Sequence, residues 1–124
     1  MAAGVLTGKY SNGVQQGSRL ALPGYEWLRK DPLQKGTAAA IIPLETLAVA
    51  VKKLGPIASD LGATTAQLAL AWCAHNPHVS TVITGASRPE QVKENMKALA
   101  LLPKLTPPVI EKIEEAVRGV TDLP

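Results

Sequence analysis

Val79-Ser80-Thr81-Val82-Ile83-Thr84-Gly85-Ala86-Ser87-Arg88-Pro89-Glu90 is the stretch on which the fold turns. Its first part, 79–84, is short, rich in β-branched residues and closed by a glycine, which predicts a strand. The continuous apolar run suits a parallel sheet buried on both faces. Ser87 with Glu90 three residues on has the form of a capping box, and Pro89 suits a first helical turn. A helix is therefore expected to about Leu99. One strand cannot make a sheet, so its neighbours are expected outside this chain or from another chain.

Outward from that junction the chain reads as mostly helical. Upstream, Thr64 and Gln67 form another capping-box pattern. The helix they open is apolar on every side, predicting burial on most sides, and Asn76-Pro77 ends it. Before it, Leu47, Val51, Leu54, Ala58 and Leu61 share one face of a helix over 44–61. Pro56 is expected to kink or split that helix, and Gly62 to cap it. Downstream, Thr106-Pro107 starts a helix to about Arg118, with Ile110, Ile113 and Val117 on its apolar side. Residues 1–36 carry glycine or proline every few positions and read as a long loop with a short helix near 24–30.

The chain has 124 residues, 46% of them hydrophobic and 19% charged, the profile of a globular domain or a piece of one. No apolar run reaches the roughly 18–20 residues that span a bilayer. The N-terminus lacks a signal-peptide layout, so a cytoplasmic location without membrane insertion is expected. Cys73 is the single cysteine, which excludes an intrachain disulfide. Its apolar neighbours predict a buried, inert thiol. The net charge of +3 falls entirely in residues 1–62 but forms no dense basic run. With two Tyr and two Trp for stacking, nucleic-acid binding is disfavoured and a small anionic ligand fits better.

Three groups of residues carry candidate chemistry. Gly85 and Ser87 sit where a helix begins, and a helix N-terminus presents unpaired N–H groups and partial positive charge to an anion. Arg88 adds a full charge. An ordinary capped helix with no ligand satisfies the same spacing. Gln91, Glu94 and Asn95 lie three and four apart, so they share one helix face one turn further on. That face suits a ribose or the amino edge of a purine, and equally a solvated surface. Gly4, Lys9 and Arg19 place two cations on a glycine-rich loop able to close over a pyrophosphate. It is not a P-loop, since no G-x-x-x-x-G-K-[ST] is present. His75 and His78 are separated by Pro77 and lack metal-ligand spacing, so no metal site is expected. Tyr10 has no tuning partners near it in sequence, and no nucleophile–base set is visible.

Taken together, these segments resemble a known family. Ala2-Ala3-Gly4-Val5-Leu6-Thr7-Gly8-Lys9-Tyr10-Ser11-Asn12-Gly13 is similar to the loop after the seventh strand of aldo-keto reductases. Ser18-Arg19 and Gly24-Tyr25-Glu26-Trp27-Leu28 continue it in the style of voltage-gated potassium channel beta subunits. Gln67-Leu68-Ala69-Leu70-Ala71-Trp72-Cys73 and the stretch from Val82 to Asn95 follow in the family's order. The resemblance covers essentially the whole chain. It implies an α/β fold, with residues 1–124 forming the C-terminal third of a (β/α)8 TIM barrel. The chain would be mostly helical with one strand at about 79–84.

The resemblance also implies a cofactor, NADPH. Met1, Ala2, Ala3 and Lys9 match contacts to its central part, and Gly17 and Arg19 match the loop folding over pyrophosphate and adenosine. Gly85 and Ser87 match the phosphate turn, and Gln91, Glu94 and Asn95 the adenosine contacts. Gln91 stands where many relatives carry arginine, with Arg88 available to supply that charge. No position matches the family's catalytic aspartate, tyrosine, lysine and histidine or asparagine, so no catalytic residue is assigned. An intact protein would transfer hydride from NADPH to an aldehyde or ketone, and this chain alone is expected to be inactive. A regulatory subunit docking on a potassium channel's cytoplasmic domain is the second expectation. The third is a structural subunit, as a homo-oligomer or in a larger assembly, since a truncated barrel would expose apolar faces.

Overall fold

The computed structural model describes residues 2–27 and 44–120. Four α-helices organise them: α1 Leu44–Asp60, α2 Thr65–His75, α3 Pro89–Met96 and α4 Pro107–Val117. Three 3-10 helices join in, at Ala2–Thr7, Arg19–Ala21 and Lys97–Lys104. Among the described residues there is no β-strand.

The helices follow from their sequences. Of the face read from spacing, Leu47, Val51, Leu54 and Ala58 are buried in α1, and Leu61 is half-buried just past its end. Pro56 neither splits α1 nor ends it, and the helix is continuous to Asp60. It stops at Gly62, whose φ of +69° is the left-handed conformation that glycine adopts without cost. There Ala63 N–H donates to Ala58 C=O at 2.9 Å and Gly62 N–H to Ser59 C=O at 2.9 Å, a Schellman ending. Lys104 Nζ donates to the Leu61 carbonyl at 3.1 Å, satisfying another terminal acceptor. The α2 capping box forms as read: Gln67 N–H donates to Thr64 Oγ1 at 3.2 Å, and Thr64 N–H to Gln67 Oε1 at 3.0 Å. Asn76, in extended conformation before Pro77, closes α2.

Two apolar clusters hold the elements together. The larger gathers Leu54, Ala58, Leu68, Leu70, Leu101 and Ile113 from α1, α2, the 3-10 helix Lys97–Lys104 and α4. The smaller packs Val5, Tyr10 and Leu20 of the N-terminal segment onto Leu47 and Val51 of α1. Tyr10 is therefore a core residue, 2% exposed. Glu26 and Trp27 are helical, and the rest of the short helix expected near 24–30 lies outside the described residues.

Three further expectations fail. The strand at 79–84 does not form: 79–86 run without regular secondary structure, and Ile83 is 92% exposed rather than buried on two faces. A strand is stabilised by hydrogen bonds to neighbouring strands, and none stands beside this segment among the described residues. Next, Ser87 does not cap α3. Arg88 is the N-cap residue, with no side-chain capping bond, and the α-helix ends at Met96 before passing into the 3-10 helix. Finally, Cys73 is half-buried, not buried, and borders an apolar cavity of about 230 Å³ with Val5, Leu47, Trp72 and Ile113.

Candidate functional site

A cleft of about 850 Å³ opens where four segments meet. The N-terminal segment contributes Gly4, Thr7 and Lys9, and the start of α2 contributes Thr64, Ala66 and Leu70. The irregular stretch Ile83–Arg88 forms a third wall, and Gln91, Glu94 and Asn95 of α3 form the fourth. Six of the eleven residues matched to cofactor contacts thus share one cavity, Lys9, Gly85, Ser87, Gln91, Glu94 and Asn95, together with Gly4 and Arg88. The other five stand differently. Ala2 and Ala3 open the 3-10 helix whose Gly4 and Thr7 reach the cleft. Gly17, with φ +79°, lies in an exposed turn away from the cleft wall. Arg19 begins the short 3-10 helix Arg19–Ala21, and its side chain, like Met1, falls outside the described part.

The cation is placed by a glycine. Lys9 runs across Gly4 so closely that a Cβ there would lie 2.5 Å from Lys9 Cε and 2.6 Å from Nζ. The φ of +95° at Gly4 independently requires glycine. Lys9 Nζ also sits 5.0 Å from the Tyr10 ring centroid, a cation–π distance. The buried Tyr10 thereby gives an exposed, flexible side chain a fixed neighbour.

At the turn, Gln91 folds back on its own helix. Its Oε1 accepts from Ser87 N–H at 2.8 Å and from Ser87 Oγ at 3.2 Å. The donors that the sequence offers to an anion are thus aimed together at one oxygen. That pairing replaces the Ser87–Glu90 box expected from spacing.

The base of the cleft is buried and polar. Asn95 is 6% exposed, faces the cavity, and its side-chain amide has no protein partner among the described residues. A buried amide carries both donors and an acceptor and is costly to leave unpaired, so its position calls for a ligand or water. Gln67, 7% exposed, is fully engaged instead: its Nε2 donates to the Glu94 carbonyl at 3.0 Å. Thr64 Oγ1 donates to Glu94 Oε1 at 3.1 Å. Thr64 and Gln67 were legible as a cap but not as part of the site. The available signal was Gln67 itself, a polar residue directly before the apolar run Leu68–Ala74.

A family model described as the aldo/keto reductase family matches residues 1–118. The chain belongs to the aldo/keto reductase family. It is 47% identical over 120 residues to a protein of Arabidopsis thaliana named as a probable voltage-gated potassium channel subunit beta. It is 49% identical over 120 residues to a protein of the same name from Oryza sativa subsp. japonica. It is 42% identical over 115 residues to a putative voltage-gated potassium channel subunit beta of Schizosaccharomyces pombe. These alignments cover 96%, 96% and 93% of this chain but 34%, 34% and 31% of those proteins. The chain therefore spans about a third of the length of the curated relatives it matches. Membership implies the (β/α)8 barrel as the family's fold. Among the described residues, no helix is long and apolar enough to cross a membrane.

Proposed function

We propose that this chain supplies the phosphate- and adenosine-binding part of an NADPH site. The observation that carries this reading is the convergence of Lys9, the Gly85–Ser87 turn and the buried, unpartnered Asn95 on one cleft of about 850 Å³. The residues suit the ligand in chemistry as well as in place. Lys9 and Arg88 border the cavity and bring positive charge for phosphate oxygens. The Ser87 N–H and hydroxyl, now turned to Gln91 Oε1, are the donor type that a phosphate takes. Glu94 and Asn95 present an acceptor and a two-way amide to the donor and acceptor edge of a purine. Met1, Ala2, Ala3, Gly17 and Arg19 belong to the same proposal as contacts to the dinucleotide's middle and its covering loop.

Bound NADPH supplies a hydride for carbonyl reduction. In a protein of the relatives' length, the role of this chain's residues is to anchor and orient the cofactor for transfer to an aldehyde or ketone. By itself the chain anchors without catalysing, because none of its residues is assigned as acid catalyst.

Titration of purified chain with NADPH, followed by ligand fluorescence, tests the reading. Saturable binding that is weaker for NADH is expected, and Lys9→Ala should weaken it about tenfold, the value of one charge-assisted hydrogen bond. Absence of saturable binding at millimolar NADPH would sink it. NADPH consumption with a broad set of aldehydes should stay at background.

The names of the relatives favour a second role alongside this one. We propose that the barrel containing this chain docks, as an assembly of copies, on the cytoplasmic part of a potassium channel. Copurification with such a channel and a defined oligomer in sedimentation support it; a monomer that ignores the channel refutes it. The exposure of Ile83, Leu99 and Val49 at 92%, 60% and 56% also favours a covering partner. A structural role predicts a partner over 79–84 with the cleft empty.

A further inference from the structure

Side-chain hydrogen bonds tie the start of α2 to the α3 wall of the cleft. We infer that Thr64 and Gln67 are positioning residues that hold Glu94 and Asn95 for recognition of adenine, and so set the base specificity of the cleft. This rests on the NADPH reading above and assigns residues that reading does not use as contacts.

Hydrogen-bond capacity makes the cluster directional. The Thr64 hydroxyl has one proton, and its oxygen already accepts from Gln67 N–H at 3.2 Å. The proton is given to Glu94 Oε1 at 3.1 Å, across a separation of 30 residues. Glu94 is exposed, and a free glutamate there would sample many rotamers. Thr64 selects one of them and leaves the other carboxylate oxygen for a ligand donor.

Gln67 fixes the backbone beneath. Its Oε1 is held by Thr64 N–H at 3.0 Å, which orients Nε2 onto the Glu94 carbonyl at 3.0 Å. That carbonyl also takes the Lys97 N–H in a three-residue step, the point where α3 gives way to the 3-10 helix. Asn95 follows immediately and is thereby held with its amide toward the cavity. A capping box thus reaches beyond its own helix to the residues that face the base.

Adenine offers an amino donor beside a ring acceptor, whereas hypoxanthine reverses both. A carboxylate fixed opposite the 6-substituent accepts from the adenine amino group and repels the hypoxanthine carbonyl oxygen. The test compares NADPH with its hypoxanthine analogue on the full 124-residue chain and on Thr64→Ser, Thr64→Val and Thr64→Asp. The native chain should prefer the adenine form by about tenfold or more, as sites built around a ligand donor do. Thr64→Ser keeps cap and donor and should hold that ratio to within about twofold. Thr64→Asp keeps the cap but cannot donate to Glu94, and Thr64→Val loses both. Each should flatten the ratio to about twofold or less while melting curves remain cooperative. A role confined to helix capping moves Thr64→Val alone, or weakens both nucleotides equally; either result overturns the proposal. If Thr64→Asp unfolds, Thr64→Gly, a tolerated N-cap residue with no side-chain donor, takes its place on the same ratio. A native chain that binds NADPH without base preference overturns this inference and leaves the cofactor reading standing. A native chain that binds neither nucleotide overturns both.

Discussion

The cleft's two long walls are made of very different material. On one side Asn95 lines the cavity at 6% exposed, backed by Gln67 at 7% in α2, a helix closed by local hydrogen bonds. On the other, residues 79–86 run without regular structure and leave Ile83 92% exposed. A helix satisfies its backbone within itself, so α2 and α3 need only an apolar face to settle on. A strand satisfies its backbone through neighbours. The same cavity therefore combines a wall the chain completes alone with one whose regular form depends on other segments.

The largest way to break this contrast is to remove the packing under the ordered wall. Leu68 is 1% exposed in the main cluster, and Leu68→Ala should cost about 2–5 kcal/mol in urea unfolding. A loss below about 1 kcal/mol would mean that α2 does not pack as described. Next comes the polar link between walls and floor. Gln67→Leu strips a donor from the Glu94 carbonyl and an acceptor from Thr64 N–H, and should cost about 1–3 kcal/mol. Because Leu is the more apolar residue, a stabilised variant would show that added apolar burial outweighs these bonds.

How much of this was legible follows from the same distinction. The buried face Leu47, Val51, Leu54 and Ala58 is a helical period written within twelve residues. The Thr64–Gln67 box and the Gly62 ending are local signals too, and all three form as read. Pro56 does not split the helix: an exposed proline in a long amphipathic helix is not enough to interrupt it. The 79–84 strand was legible as a preference and absent as a structure, because β-branched residues record a suitability for sheets and not the presence of one. The site was half legible. Spacing placed Gln91, Glu94 and Asn95 on one face, one turn beyond Gly85 and Ser87, and resemblance supplied the cofactor that would join them. The bonds from Thr64 and Gln67 to Glu94 span 30 and 27 residues, and no local pattern encodes a contact of that range.

A finer cut tests the local signals themselves. Gly62 has φ +69°, and a Cβ there would meet nothing within 4 Å. Gly62→Ala should therefore cost about 1 kcal/mol, from backbone conformation alone. A neutral result would show that the Schellman ending does not hold this geometry in solution.

The smallest effect is expected on the exposed wall, where it is most informative. Ile83→Ser removes a side chain that is 92% exposed, so unfolding free energy should change by about 0.5 kcal/mol or less. Amide hydrogen exchange locates the reason. The amides of 79–86 should exchange near the unfolded rate, while those of α2 beyond its first turn are protected to the level of global unfolding. In a protein of the relatives' length the same amides should slow by orders of magnitude if this segment pairs as a barrel strand. Ile83→Ser should then become costly, at about 1–3 kcal/mol for a polar group placed in an apolar core. Slow exchange of 79–86 in the 124-residue chain would reverse the comparison, because the segment would then be ordered without added strands.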